Sequence, residues 1–231
     1  MKKILLVLTV CSLLTACGSY KGSKGDRGDI GPSAPIPTPT PTTTIDVVQE
    51  DIDALIKDEN DYRLSLGQTE LSVGLSCQVA EVVSGQYLSS TYGSPVISTS
   101  GKPTYTYLYK GSFTQPDTAS GATSLLPLNI RNMYIGKNYR IICSGQIVVR
   151  DTDYYSFESK SDDGSLIILD GGVVVANDGN HGMNAVALTG SKFLRRGVHT
   201  IQIQYAQTGG GNFGLILTSN NVSIDSKLYY H

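Results

Sequence analysis

The sequence predicts an all-β protein, in which an antiparallel β-sandwich head follows a short amphipathic helix and a disordered or collagen-like N-terminal stalk. The chain has 231 residues, enough for one domain with extensions. Its 25 Gly and 14 Tyr, with no Trp, favour strands and turns over helices. From residue 71 onward, short alternating runs are separated by clusters of turn residues, which is typical of sheet structure.

The charge balance excludes a nucleic-acid-binding protein. The chain carries 18 Lys and Arg against 20 Asp and Glu, a formal net charge of −2. Loss of a leader that contains Lys2 and Lys3 makes this charge more negative. Because affinity for nucleic acid depends on basic side chains that neutralise phosphates, a basic groove is excluded at the level of the whole chain.

Residues 1–16 are predicted to be a lipoprotein signal peptide. Lys2 and Lys3 precede an apolar run from Ile4 to Leu14, which is shorter than the ~20 residues that cross a bilayer. The sequence Leu-Thr-Ala-Cys that ends at Cys17 resembles the bacterial lipobox. The resemblance implies that Cys17 carries lipid after cleavage, whereas the alternative is an ordinary signal peptide with a chance cysteine.

A lipidated Cys17 also implies a location. Several acyl chains on one residue give stable membrane anchoring. Gly18 follows the cysteine where some lipoproteins have Asp; by resemblance to enterobacterial sorting, this implies the outer membrane of the cell envelope and a surface-exposed head. In a Gram-positive host, the same anchor implies the plasma membrane.

Residues 17–44 are predicted to form the lipid-anchored tether. Four G-x-y triplets follow one another from Gly22, the spacing that a collagen triple helix requires, although a flexible glycine-rich tether has the same composition. Residues 32–44 read PSAPIPTPTPTTT. This Pro/Thr-rich linker predicts a spacer of roughly 40 Å, at ~3.1 Å per residue, that lifts the head off the membrane.

An amphipathic helix is predicted within residues 45–70. Apolar residues recur at spacings of three and four from Ile45 to Leu66, which indicates one apolar face. Ile45 and Ile52 at successive a positions, beside collagen-like triplets, favour a parallel homotrimeric coiled coil. Glu59 interrupts the heptad repeat, and the alternative is a monomeric helix packed on the head.

The head is predicted to span residues 71–231. Between Thr104 and Tyr109 the residues alternate, which places Tyr105, Tyr107 and Tyr109 on one face of a strand. Such a face either stacks on sugar rings or, as general burial tendencies favour, is the buried face of a sheet.

The last hundred residues contain seven runs typical of strands. Clusters of turn residues separate them, and their spacing predicts a β-sandwich. The runs are Tyr139–Val149, Tyr155–Lys160, Ser165–Leu169, Val173–Ala176, Asn184–Leu188, Val198–Tyr205 and Phe213–Thr218.

Three short segments within these runs resemble the protective-antigen-type domain. They are Tyr-Ser-Phe from Tyr155, Ser-Asp-Asp-Gly-Ser-Leu from Ser161 and Leu-Asp-Gly from Leu169, and the resemblance covers about residues 137–219. This module is shared by anthrax toxin protective antigen, yeast flocculins and GLEYA adhesins. The resemblance implies a two-sheet sandwich whose loops at one end bind carbohydrate.

In the flocculin branch of this family, two adjacent aspartates joined by a cis peptide bond chelate Ca²⁺, and the ion holds two sugar hydroxyls. The resemblance makes Asp162 and Asp163 the matching pair, with Asn212 as the nearest counterpart of the third ligand. The chemistry is consistent, because Ca²⁺ takes several oxygen ligands. Ca²⁺ is therefore the cofactor that the resemblance implies.

The loop that follows the fourth of these runs completes the predicted ligand-binding set. Asp178, Asn180 and His181 are expected to reach the same end of the sandwich as the aspartate pair. Two alternatives to Ca²⁺ with glycan stay open, namely recognition without metal and no ligand at all. The second alternative arises because Asp163-Gly164 is also the usual chemistry of a tight turn.

Two cysteines remain after the leader and the lipidated residue are set aside. Cys77 and Cys143 are predicted to form a disulfide, because two thiols in an oxidising compartment normally pair. Both lie in predicted strands, which permits a bridge across the sandwich.

The sequence favours a protein that is not an enzyme. It has no H-E-x-x-H and no G-x-S-x-G motif, and Gly209–Gly214 matches a dinucleotide motif in letters but lies between two predicted strands. We therefore expect a surface-anchored lipoprotein adhesin that binds glycans of a cell surface or matrix. The alternative is a non-catalytic structural or fibre component of the envelope that acts through protein–protein contacts.

Overall fold

The structure is a computed structural model that describes residues 44–83, 88, 96–118, 122–184, 186–208, 212–219, 222–223 and 229–230. The predicted signal peptide, the lipidation of Cys17, the G-x-y triplets and the Pro/Thr-rich linker up to residue 43 all lie outside the described residues. Residues 43–231 form one compact unit, which contains the helix and the head.

Helix α1 spans Thr44–Ser65, close to the predicted bounds. Its apolar side chains Ile52, Leu55 and Ile56 pack against Leu71 and Val148 of the head. The alternative in which the helix packs on the head is therefore the arrangement that the structure shows. None of the described helices is long and apolar enough to cross a membrane.

The described strands form two antiparallel sheets, and the predicted fold class, an all-β sandwich, is confirmed. The strands are β1 (Leu75–Glu81), β2 (Tyr105–Tyr109), β3 (Thr114–Thr118), β4 (Tyr139–Val149), β5 (Asp153–Asp162), β6 (Ser165–Leu169), β7 (Gly172–Asn177), β8 (Leu188–Leu194), β9 (Gly197–Gln207), β10 (Phe213–Ser219), β11 (Val222–Ser223) and β12 (Tyr229–Tyr230). A short helix, α2, spans Leu128–Arg131.

The seven-stranded sheet, here called the large sheet, has the order β2-β1-β4-β9-β6-β7, with β12 paired to β4. The five-stranded sheet, here called the small sheet, has the order β11-β10-β5-β8, with β3 paired to β10. All of the pairings are antiparallel.

The core lies between the two sheets and follows the period of two expected for strands. The large sheet contributes alternate residues of β4 and β9, and the small sheet contributes alternate residues of β5 and β10. The buried side chains include Tyr139, Ile141, Ile201, Ile203, Tyr205, Phe157, Leu215 and Leu217. Of the tyrosine stripe on β2, Tyr109 is buried, and Tyr105 and Tyr107 pack against this core, so the stripe is the buried face of the sheet.

One predicted strand is wrong in position. Of the described residues in the run Asn184–Leu188, Leu188 alone lies in a strand, which is β8, Leu188–Leu194. Its sequence Thr-Gly-Ser resembles a turn, but Gly190 lies within the strand because a Cβ there would be 1.8 Å from the carbonyl oxygen of Val174. The glycine is needed for a close backbone approach between β7 and β8, which a single sequence does not reveal.

The disulfide between Cys77 and Cys143 is present, but it does not cross the sandwich. The two cysteines are directly opposite each other on β1 and β4, which are neighbours in the large sheet. The bridge therefore joins adjacent strands of one sheet, and both sulfur-bearing residues face the core.

Candidate functional site

The two predicted metal-ligating aspartates lie where the chain passes from one sheet to the other. Asp162 ends β5 in the small sheet, and Ser165 begins β6 in the large sheet. Asp163 and Gly164 make this passage, so they do not form a hairpin within one sheet. The peptide bond between Asp162 and Asp163 is cis, as the resemblance implies.

Asp163 is only 2% exposed, and its carboxylate joins two loops. Its Oδ1 accepts a hydrogen bond from the backbone N–H of His181 at 3.0 Å, and its Oδ2 accepts one from the backbone N–H of Thr208 at 2.7 Å. Each oxygen of an ionised carboxylate has a second lone pair. Asp163 therefore holds both loops in place while it keeps acceptor capacity for a ligand.

The loop after β7 lies at this end of the sandwich. Oδ1 of Asp178 accepts hydrogen bonds from the backbone N–H groups of Leu88 and Gly179, at 2.8 and 2.9 Å. Gly164 fits closely against this loop, because a Cβ there would lie 2.9 Å from that same oxygen. Asp178 thus shapes the loop, and Asn180 is exposed within it.

The ring of His181 lies beside the same end of the molecule. Its Nδ1 is 3.0 Å from the carbonyl oxygen of Gly182, and its Nε2 is 3.4 Å from the carbonyl oxygen of Asn177. The half-buried His181 side chain therefore borders the aspartates, while its backbone N–H binds Asp163 directly.

A buried polar network supports the aspartates from inside the sandwich. The hydroxyl of Ser165 lies 2.5 Å from that of Ser159 and 2.9 Å from that of Ser161. The side-chain amide of Asn177 donates to Ser161 Oγ at 2.8 Å and to Asn184 Oδ1 at 2.6 Å. Satisfied buried networks of this kind hold their members rigidly, so the interior fixes the position of the crossing and of the loop.

A third carboxylate, Asp117, belongs to the site and was not predicted. Asp162 on β5 is opposite Gly214 on β10, and β3, which carries Asp117, pairs with the other side of β10. A Cβ on Gly214 would lie 2.9 Å from the backbone nitrogen of Asp117 and 2.8 Å from Cε of Met183. The glycine therefore lets Asp162 and Asp117 approach each other across the strand between them.

Asp117 could have been noticed in the sequence from its isolation. It is the one acidic residue among the 41 residues from Ser84 to Ser124, although nothing in the sequence shows that β3 pairs with β10. Such a pairing is long-range, and local patterns do not report it.

The surroundings of Asp162 raise its pKa to about 6. Burial of the carboxyl group is the largest cause, followed by the negative charges of Asp163 and Asp117 and a hydrogen bond with Asp117, while His181 acts in the opposite direction. Neighbouring carboxylates disfavour each other's ionisation. A cation bound among them would reverse that penalty.

Asn212 is exposed and lies two residues before Gly214, which is opposite Asp162. The structure thus places it at the end of β10 that adjoins the aspartates. Across the described parts of the chain, no three His, Cys, Asp or Glu side chains are grouped so that they alone could hold a metal ion. A cation at this end would need amide or backbone oxygens besides the carboxylates.

Comparison with protein families gives one match. Residues 128–227 match the model of the PA14 domain family, a range that contains the residues on which the resemblance to the protective-antigen-type domain rests. No curated protein sequence matches the chain.

Solved structures with a similar fold include the PA14 domain of the antifreeze protein MpAFP, at 16% identity and a TM-score of 0.49, over 69% of this chain and 91% of that chain. A sugar-binding PA14 domain from an RTX adhesin is 16% identical with a TM-score of 0.48, and the match covers 69% of this chain and 98% of that chain. A third structure is the A domain of epithelial adhesin 9 from Candida glabrata in complex with Galβ1-4GlcNAc. It is 14% identical with a TM-score of 0.44, and the match covers 69% of this chain and 90% of that chain.

Proposed function

We propose that this protein is an adhesin whose head binds carbohydrate at the end of the sandwich where Asp162 and Asp163 lie. The observation that carries the proposal is the meeting of Asp162, Asp163 and Asp117 there, with no ion pair to Lys or Arg among the described residues. Neighbouring carboxylates without a cationic partner disfavour each other's ionisation, and such perturbed groups are a feature of functional sites. The PA14 match over 128–227 agrees with this site.

Ca²⁺ is the cofactor that we propose for this site, with Asp162, Asp163 and Asn212 as its ligands. The donor set fits a hard cation, because it consists of carboxylate and amide oxygens. When bound, the ion would offer coordination positions to neighbouring sugar hydroxyls. Asp163 contributes further by holding the loops of His181 and Thr208 at the site.

The loop from Asp178 to His181 is the part of the site that we expect to select the ligand. Asp178 acts as a positioning residue, because its carboxylate accepts two backbone N–H groups. Asn180 and His181 then present polar groups beside the aspartates and would contact the glycan directly.

Anchoring and assembly are proposals that rest on the sequence. Lipid on Cys17 would hold the protein in the outer membrane with its head exposed at the cell surface. A homotrimer would multiply weak sugar affinity through effective concentration. In the structure, however, α1 uses Ile52 and Leu55 against the head, so a coiled coil through the same stripe would have to displace these contacts.

The alternative function is a structural component of the envelope that binds other proteins. This alternative is supported by an exposed pair of aromatic residues on neighbouring strands of the small sheet. Tyr154 and Phe193 are 70% and 48% exposed, and their ring centroids are 5.3 Å apart. Exposed aromatic pairs are common in protein contact surfaces.

Glycan-array binding and calorimetric Ca²⁺ titration of the mature protein test the proposed function. We expect Ca²⁺-dependent glycan binding that the double variant Asp162→Ala/Asp163→Ala abolishes. The matched control is Asp151→Ala/Asp153→Ala, which removes two exposed aspartates at the opposite end and should leave binding unchanged. Glycan binding that persists unaltered in EGTA would overturn the Ca²⁺ proposal, and loss of binding in the control would overturn the location.

A further inference from the structure

A second recess lies at the same end of the sandwich, beside β2 at the outer edge of the large sheet. It is a cleft of about 190 Å³ between the end of β1, the start of β2 and the segment that leads into β4. This volume is below the ~300 Å³ at which pockets for drug-sized ligands begin. The cleft therefore suits a single small unit, such as one sugar residue.

The register of the large sheet places this cleft near the aspartate site. Glu81, which lines the cleft, is opposite Tyr139 on β4, and Tyr139 is opposite Gln207 on β9. Thr208, the next residue, donates its N–H to Asp163. Two strand spacings of ~4.8 Å separate β9 from β1, so the two recesses lie on the order of 10–15 Å apart.

The floor of the cleft is apolar and aromatic. It is formed by Pro103, Tyr105, Met133 and Tyr134, and the rings of the two tyrosines meet edge to face with centroids 6.5 Å apart. Tyr105 is half-buried and Tyr134 is buried. A ring with an apolar face, such as a sugar, can pack on such a floor.

The rim of the cleft carries three charged side chains. Lys102 and Lys137 are exposed, and Glu81 is partly exposed; within the described part of the chain, none of the three takes part in an ion pair. The Tyr134 hydroxyl lies close enough to Glu81 for that charge to contribute, after burial and Tyr105, to raising the tyrosine pKa to about 12. The rim thus offers two cations for an anion and one acceptor for a hydroxyl.

We propose that this cleft binds one acidic sugar residue, with its carboxylate between Lys102 and Lys137 and its ring on Tyr105 and Met133. A sugar hydroxyl would donate to Glu81. The two lysines come from different elements and converge on one recess, which matches the charge of a carboxylate rather than that of a neutral sugar. None of these residues belongs to the aspartate site, so the proposal goes beyond the proposed function and adds a preference for acidic glycans.

The methionine methyl groups provide a direct test, because Met133 lines the cleft and Met183 lies against Gly214 at the aspartate site. We would label the methionine methyls of the mature protein with ¹³C and titrate D-glucuronate, with D-glucose as the neutral probe. D-Glucuronate should shift the Met133 signal and bind at least about tenfold more tightly than D-glucose. Salt should weaken its binding.

The variant Lys102→Gln/Lys137→Gln should weaken D-glucuronate binding about tenfold. The matched control Lys57→Gln/Arg195→Gln removes two exposed positive charges elsewhere and should not change it. Equal affinity for D-glucuronate and D-glucose, or wild-type affinity in the cleft variant, overturns the inference. The Met183 signal in a Ca²⁺ titration reports on the aspartate site separately, so failure of either proposal is visible without the other.

Discussion

Strand β6 has an aspartate at each end, and the two aspartates have opposite surroundings. Asp163 precedes the strand and, with Asp162, lies beside further carboxylates. Asp170 follows the strand and lies 2.9 Å from Nδ1 of His199 and 3.8 Å from Nζ of Lys192. At one end negative charge accumulates, whereas at the other end it is balanced.

The pKa values of Asp162 and Asp170 reflect this difference in charge between the two ends of β6. Burial and the charges of Asp163 and Asp117 raise the pKa of Asp162 to about 6. Partial burial of Asp170 acts in the same direction, but His199, the backbone N–H of Thr200 and Lys192 outweigh it, and its pKa lies below the ordinary value. The carboxylate of Asp170 is thus paired within the protein, whereas the carboxylates around Asp162 have no ion pair among the described residues, as the proposed ligand site requires.

The largest test of this comparison replaces each strand-flanking aspartate by its isosteric amide. Asp163→Asn should lower the free energy of unfolding by about 2–3 kcal/mol, because a buried N–H of His181 or Thr208 then faces an amide donor. Asp170→Asn should cost about 1 kcal/mol or less, since its ion pairs are partly exposed. Urea unfolding of the metal-free protein measures both, and equal losses at the two ends would contradict the comparison.

A second test separates the carboxylates without removing any of them. Gly214→Ala places a methyl group 2.9 Å from the backbone of Asp117 and should destabilise the protein by about 1–3 kcal/mol through overpacking. By forcing Asp117 away, it should also lower the pKa of Asp162 toward its ordinary value, which NMR titration of the side-chain carboxyl detects. Gly182→Ala is the control, because a Cβ there meets nothing within 4 Å; an unchanged Asp162 pKa in Gly214→Ala would show that Asp117 is not coupled to it.

The smallest effects concern pH. Since the folded state raises the pKa of Asp162, this group favours folding below its unfolded pKa near 4 and loses that contribution as the pH rises through about 6. Asp170, with a lowered pKa, contributes above pH ~4 and loses its contribution as the pH falls.

Asp162→Asn should therefore stabilise the metal-free protein at pH 7, by up to about 1 kcal/mol after allowance for solvent screening, and flatten the decline between about pH 4 and 6. Asp170→Asn should destabilise it at pH 7 and flatten the decline in acid. Unfolding curves between pH 3 and 8 in EDTA measure both slopes. The comparison fails if both variants change stability in the same direction at pH 7.

Much of the fold was predictable because alternation along the strands reports which face is buried. The bounds of β4 and β6 agree with the predicted runs, and both strands contain uninterrupted pairs or triplets of β-branched and aliphatic residues. The predicted position of strand β8 was wrong because Gly190 is required by the close approach of the Val174 carbonyl oxygen and not by a turn. The cysteine pair was predicted correctly. That the bridge joins neighbouring strands β1 and β4 could not be predicted, because it depends on the order of the strands in the sheet.

The site was predictable only where a motif names its residues. Adjacent Asp162 and Asp163 stand out in the chain, but Asp117 and the cleft at Tyr105 are assembled from segments far apart in sequence. The hydroxyls of Ser159 and Ser161 point into the core on the same face as Phe157. Alternation places them inside, yet only the structure shows that they support the crossing between the sheets.

Helix α1 contacts the head at one end of the sandwich only, among the described residues. Its contacts involve Val148 and Val198, and its Asp51 lies 3.6 Å from Arg196, all at the pole of the sandwich away from Asp163. Strands of eleven residues separate the two poles by roughly 35 Å. Force that reaches the head through the helix would therefore enter at the pole opposite Asp162 and Asp163.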